Sequence, residues 1–143
     1  MTLKQSSVLV SRVALFVIYF WFGFLKVIGQ SPASEMVHTL FSKTVEPIIP
    51  FLSFWVFIVL FGLFEMLIGV LFIIPKLEKP ALVLFFVHMA TTILPIFVMS
   101  EVWSGILVPT LEGQYIIKNI ALIACALTIW QILPKKEVET VTQ

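Results

Sequence analysis

Four apolar stretches, each about as long as a lipid bilayer is thick, restrict what this chain can fold into. A hydrocarbon core about 30 Å thick is crossed by ~20 helical residues, and residues 8–28, 51–74, 80–99 and 115–133 all meet that length. The second stretch holds one charge, Glu65, and the third none, its only ionisable group being His88. Lipid offers no hydrogen bonds to bare backbone, so such stretches fold as helices that satisfy their own amides. Composition agrees: 60% of the 143 residues are hydrophobic and 12% are charged. A soluble domain of that size leaves too much surface in water to hide so much apolar area. The expected fold is all-α: a polytopic membrane protein forming one four-transmembrane-helix bundle over residues 1–143, with a short amphipathic helix in its first outer loop.

The charges set an expected orientation. Lys4, Arg12, Lys76, Lys79, Lys135 and Lys136 fall on one side of the four spans, and Lys26, Lys43 and Lys118 on the other. The positive-inside rule places the richer side in the cytoplasm, with both termini and the short turn around Leu77. A cleaved first span, with Val27-Ile28-Gly29 as a loose signal-peptide site, is the alternative; Lys26 just before that site and the three spans after it argue for retention. A net charge of +1 with no clustered basic face excludes nucleic acid as a partner. The single cysteine, Cys125, excludes an internal disulfide, a CxxC pair and a Cys-rich metal site.

Each span gathers its polar and small residues on one face. In the first these are Arg12, Tyr19, Gly23 and Lys26; in the second Gly62, Glu65 and Gly69; in the third Ala81, His88, Thr91 or Thr92, and Pro95. In the fourth they are Lys118, Ala121, Cys125 and Thr128, with Asn119 beside them. Small residues let helices approach and polar ones avoid lipid, so all four faces are expected to point inward. Glu65 precedes Leu77 by twelve residues and His88 follows it by eleven, which sets both about 15 Å from the cytoplasmic boundary and close to the bilayer midplane. A Glu65–His88 pair there is either a polar clamp between helices or a proton-handling or ligand-binding site. Lys26, Lys118 and Asn119 form a second expected cluster near the outer boundary, with Glu101, Glu112 or Glu35 as counter-charges. It reads either as snorkelling with loop ion pairs or as a cationic mouth for an anionic or quinone-like head group. Pro95 frees the carbonyl of Thr91 and is expected to kink the third span.

The outer loops carry their own signals. Ser31-Pro32 reads as a helix start. Behind it Met36, Val37, Leu40, Phe41 and Val45 share one helical face, and Glu35, His38, Ser42, Lys43 and Glu46 the other. Residues 100–114 mix polar and apolar groups and are expected to lie over the bundle as a lid.

Three segments together resemble the DoxX-like family of small four-helix bacterial membrane proteins. They are Phe22-Gly23-Phe24-Leu25-Lys26, the run from Gly62 through Glu65 and Gly69 to Leu71, and Glu112-Gly113-Gln114-Tyr115-Ile116-Ile117-Lys118-Asn119. The match extends over residues 10–133. The resemblance implies a multi-pass protein of the cytoplasmic (inner) membrane in which Lys26, Glu65, Lys118 and Asn119 occupy recurrent polar positions. Family members include a membrane subunit of a thiosulfate:quinone oxidoreductase and a component of an oxidative-stress complex. The implied function is a quinone-interacting or accessory subunit of a membrane redox complex, with a quinone as the sole suggested cofactor, a redox subunit as partner, and homo-oligomerisation as a further option. Glu65 would donate or accept a proton, His88 would be its partner, and Lys26 or Lys118 would anchor charge. The alternatives are a non-catalytic assembly or scaffold protein and a small proton-linked transporter.

Overall fold

The computed structural model describes residues 3–133; Lys135 and Lys136, counted in the orientation argument, lie outside the described residues. The elements are α1 (Leu3–Val27), α2 (Ser34–Thr44), α3 (Phe54–Ile73), α4 (Glu78–Ile93), α5 (Pro95–Val98), a two-stranded hairpin of β1 (Trp103–Gly105) and β2 (Val108–Pro109), and α6 (Leu111–Trp130). Four helices are long and apolar enough to cross a membrane, α5 continuing α4 to complete the third. The chain is an all-α bundle of the multi-pass membrane type. Its spans alternate in direction, and α1 and α4 each pack against both α3 and α6. One end, the turn end, carries the α3–α4 turn; the other, the loop end, carries α2 and the hairpin.

Local chemistry explains the boundaries. Ser53 and Thr110 cap α3 and α6, their side-chain oxygens accepting from the backbone N–H of Val56 and Gly113. At the other end of α1, Gly29 takes φ 71°. The amide of Gln30 then reaches the carbonyl of Leu25 at 2.8 Å, and that of Gly29 reaches Lys26 at 3.2 Å. This is a Schellman turn, and it leaves Lys26 in the last turn of α1. The helix expected to open at Ser31-Pro32 begins instead at Ser34. Ser31 forms the preceding turn, accepting from the Ala33 amide on its hydroxyl and the Ser34 amide on its carbonyl. Pro95 divides α4 from α5 at Leu94, as a residue without an N–H does.

The closest helix contact joins antiparallel α1 and α3. A Cβ on Gly62 would lie 2.6 Å from the Gly23 carbonyl, and one on Gly69 would lie 2.9 Å from the Phe20 amide nitrogen. Only glycine admits backbones this near. At the turn end, Arg12 of α1 donates to the carbonyls of Phe72 and Ile73 at 2.7 and 3.1 Å and to Glu78 at 2.8 Å. One guanidinium thereby caps the orphan carbonyls of α3 and pairs with the acid in the first turn of α4, and both helix dipoles favour the arrangement. A core of Leu15, Ile68, Phe72, Leu82 and Phe85 fills the bundle behind it.

At the loop end α3 overshoots α1 by about one turn, and α2 covers the excess: Phe41 rests on Phe54 and Phe57 at 5.7 and 5.0 Å between ring centroids. The amphipathic face of α2 is as expected, with Val37 and Phe41 buried and Glu35, His38, Lys43 and Glu46 exposed. The root of the hairpin closes this end, burying Met99 and Val102 against Ile116. Its tip does not: Ile106 and Leu107 are 95% and 83% exposed.

The fourth span corrects one expectation. Its inward face is Gly113, Ile116, Ala126 and Ile129, whereas Lys118 and Ala121 are exposed and Cys125 and Thr128 only half-buried. Lys118 and Ala121 therefore point away from the bundle, while Cys125 packs at the edge of the core, because Ile116, Ala126 and Ile129 fill the seam against α1 and α4.

Candidate functional site

The buried charges meet at one place. Lys26 of α1, Glu65 of α3 and His88 of α4 are 5%, 6% and 4% exposed. The Lys26 ammonium donates to Glu65 Oε2 at 2.6 Å, and His88 Nε2 lies 3.0 Å from Glu65 Oε1. On the far side of the imidazole, the Tyr19 hydroxyl is 3.1 Å from Nδ1. These bonds are all satisfied when Nε2 carries the imidazole proton and Tyr19 donates to Nδ1, a tautomer assigned from the network itself. Thr91 and Thr92 donate to the His88 carbonyl at 2.7 and 2.9 Å.

Helix geometry places each of these groups. Gly23, one turn before Lys26, brings α1 against Gly62, one turn before Glu65. A Cβ on Gly62 would meet the Lys26 Cβ at 2.9 Å. Glu65 lies eleven residues from one end of α3 and eight from the other, about 16 and 12 Å along the axis and so well inside the apolar span. The surroundings are aromatic: Phe61 stacks on the imidazole at 5.1 Å and sits 5.7 Å from the Lys26 ammonium, while Tyr19 meets the imidazole edge-on. In such a medium isolated charges are costly, and a carboxylate matched to one ammonium and one N–H offsets much of that cost. Among the described residues no buried side-chain polar atom lacks a partner.

The expected Glu65–His88 pairing is present. Lys26, expected beside Lys118 and Asn119, instead joins Glu65. Lys118 is exposed on α6, its ammonium 4.9 Å from the ring of Tyr115; Asn119 is half-buried beside it. The acids named as their counter-charges are elsewhere engaged or exposed: Glu101 pairs with Lys43 at 2.7 Å, and Glu112 and Glu35 face outward. The shared face read for the first span included Tyr19, but its bond to His88 was not foreseen. The signal was available, since Tyr19 and Lys26 are two turns apart on the face that carries Gly23.

Chemically, Tyr19, His88, Glu65 and Lys26 form an unbroken line of hydrogen bonds through three helices. Every group in it can gain or lose a proton. A quinone head group would need open space beside a donor, and here Tyr19, Lys26, Glu65 and His88 are all buried and packed against one another. Two hollows, of ≈ 220 Å³ beside Lys4 and Arg12 and ≈ 460 Å³ beside His38 and Phe54, are lined by none of these four residues. In this arrangement the site does not fit a bound quinone. No protein-family model, curated protein or solved structure matches the chain.

Proposed function

We propose that this chain is a non-catalytic accessory subunit of a membrane complex, with the Lys26–Glu65–His88–Tyr19 network acting as the clamp that holds α1, α3 and α4 in register. The observation that carries this reading is mutual pairing in a closed site: the ammonium, carboxylate and imidazole are all buried and each is hydrogen-bonded within the network. A reaction centre keeps at least one group directed at a substrate. The reading includes the DoxX-like resemblance, because Gly23, Lys26, Gly62, Glu65 and Gly69, which carry much of it, also make the α1–α3 contact. It also includes the cytoplasmic (inner) membrane, with the turn end and both termini cytoplasmic, since Lys4, Arg12, Lys76 and Lys79 cluster there.

A second reading, quinone-linked proton handling in a redox complex, is favoured by one observation, the continuous protonatable line deep in the span. The two are separated by purifying the protein in mild detergent, extracting with organic solvent, and analysing both fractions by mass spectrometry. The expected outcome is a stoichiometric partner polypeptide without stoichiometric quinone. An isoprenoid quinone retained by the wild type and lost in Glu65→Gln would replace the accessory reading with the redox one. Absence of any partner polypeptide would also overturn the accessory reading.

A further inference from the structure

The tip of the hairpin carries leucine where a turn calls for glycine or asparagine. Gly105 pairs with Val108, so Ile106 and Leu107 form a two-residue loop, and Leu107 takes φ 57°. A bulky side chain rarely adopts that backbone, which turns reserve for residues that enter it at little cost. Both tip side chains are largely exposed, so burial within the bundle does not offset the strain. Residues 102–111 carry no charge; the nearest acids, Glu101 and Glu112, flank the hairpin. The other connection at this end shows the same exposure, where Ile48 and Phe51 lead into α3.

We propose that the hairpin tip is a lipid anchor, with Ile106 and Leu107 inserted among the head groups and upper acyl chains of the leaflet at the loop end. The anchor goes beyond the accessory reading and does not depend on it. The reach of the hairpin selects its occupant. Its root is fixed just inside the start of α6, where Val102 is buried and its carbonyl lies against Gly113. α6 has 20 residues, about 30 Å, so its loop end lies near the boundary of the hydrocarbon core. Three strand residues carry the tip about 10 Å from a root about 3 Å inside that boundary. The head-group layer adds about 5–7 Å on each side, so the tip does not clear it in any direction. Trp103, half-buried at the base with its indole N–H donating to the Ile96 carbonyl at 3.1 Å, is a residue type that settles at this level. The lipid-facing surface also runs onto the hairpin without a break, through exposed Phe97 before it and Leu111 after it. A protein partner would cover one patch, whereas apolar exposure on both connections matches a lipid plane.

The test places a nitroxide on the full chain in phosphatidylcholine vesicles, in a Cys125→Ala background. The label sits at Ile106→Cys or, as a control on the exposed polar face of α2, at Glu35→Cys. Power saturation reads its collisions with oxygen, which concentrates in lipid, and with a water-soluble nickel chelate. At position 106 oxygen collision is expected to exceed chelate collision several-fold, and at position 35 the order reverses. Adding Leu107→Asn, which suits the positive φ and removes the apolar side chain, raises chelate collision at 106 several-fold. An unchanged reading at position 35 shows that the fold persists in that variant, and Leu107→Gly replaces it if that reading shifts. Chelate dominance at 106 in the parent would put the tip in water, and low collision with both reagents would put it against protein. Either result overturns the anchor. So does indifference to the change at Leu107, since the depth of the tip would then owe nothing to its apolar side chains. None of these results touches the accessory reading, whose failure is read from the partner polypeptide.

Discussion

Lys26 and Lys118 begin alike and end in opposite environments. Each sits near the loop end of a span, each follows a glycine in the chain, and each neighbours small residues on its own face. Lys26 is buried against a carboxylate, and Lys118 stands exposed on the outside of the bundle. Two physical differences separate them. Side chains on a helix lean toward its N-terminus. The two helices run in opposite directions, so Lys26 leans into the middle of the bundle and Lys118 leans out toward the loop end, over Tyr115. Moreover, Gly23 faces Gly62 across a backbone contact beside which the Lys26 side chain is buried, while Lys118 and its neighbours Gln114, Tyr115 and Ala121 are exposed. Helix direction and the identity of the facing residue decide whether an intramembrane lysine becomes part of the core.

The comparison is broken most severely by removing the counter-charge. Glu65→Gln keeps an acceptor for His88 but leaves the Lys26 ammonium buried without a partner, and is expected to cost about 3–5 kcal/mol. Thermal unfolding in detergent reads the loss. Adding Lys26→Met to it should restore most of the stability, because a neutral, well-packed pair of similar volume substitutes adequately for a buried ion pair. A double variant no better than Glu65→Gln would mean that the carboxylate serves something other than charge balance.

Next in size is Gly62→Ala. Its Cβ would fall 2.6 Å from the Gly23 carbonyl and 2.9 Å from the Lys26 Cβ, forcing α1 away from α3 at an expected cost of about 1–3 kcal/mol. It should also loosen the lysine it is meant to hold, seen as faster amide exchange in the last turn of α1. Tyr19→Phe is milder. It removes the hydroxyl from His88 Nδ1 while Thr92 Oγ1 remains 3.3 Å from the same nitrogen. A loss of about 1 kcal/mol is expected, and a loss several times larger would show that Thr92 does not take over.

Much of this arrangement was legible in the sequence, and the parts that were not share a cause. The hairpin through Leu77 set Glu65 and His88 at equal depth, and period-3.6 spacing put Tyr19, Gly23 and Lys26 on one face. What spacing does not carry is rotation of one helix relative to its neighbours. Applied to α6, the rule that polar faces turn inward failed for Lys118 and Ala121 and held only at the core's edge, for Cys125, because Ile116, Ala126 and Ile129 supply most of the apolar surface that fills the seam. Depth read from Cα position alone likewise put Lys26 with the head groups, since it ignored the direction in which a long side chain leans. Arg12 was expected on the cytoplasmic side and on the inward face of the first span, and it is found there, bonded to α3 and α4. Its role as a cap on the α3 carbonyls depends on where α3 stops, and that is visible only in three dimensions.

The smallest expected effect concerns the ion pair outside the spans, Lys43–Glu101, which joins α2 to the short helical turn before the hairpin at 2.7 Å. The hydrogen bond from Lys43 holds the Glu101 carboxyl below the usual carboxylate range. A depressed acid stabilises the folded form above its unfolded pKa, and that contribution disappears as pH falls through the lower folded value. Both side chains are substantially exposed, 40% and 53%, so solvent and salt screen the pair. Wild type and Glu101→Gln should therefore differ slightly in melting temperature at neutral pH, converge as the solution is taken below the ordinary carboxylate range, and converge at neutral pH when salt is raised. Lys26–Glu65, shut away from ions in the solution, should show no comparable response to salt. Equal salt sensitivity in the two pairs would mean that water reaches the buried carboxylate, and the clamp would then have to be redrawn as an opening.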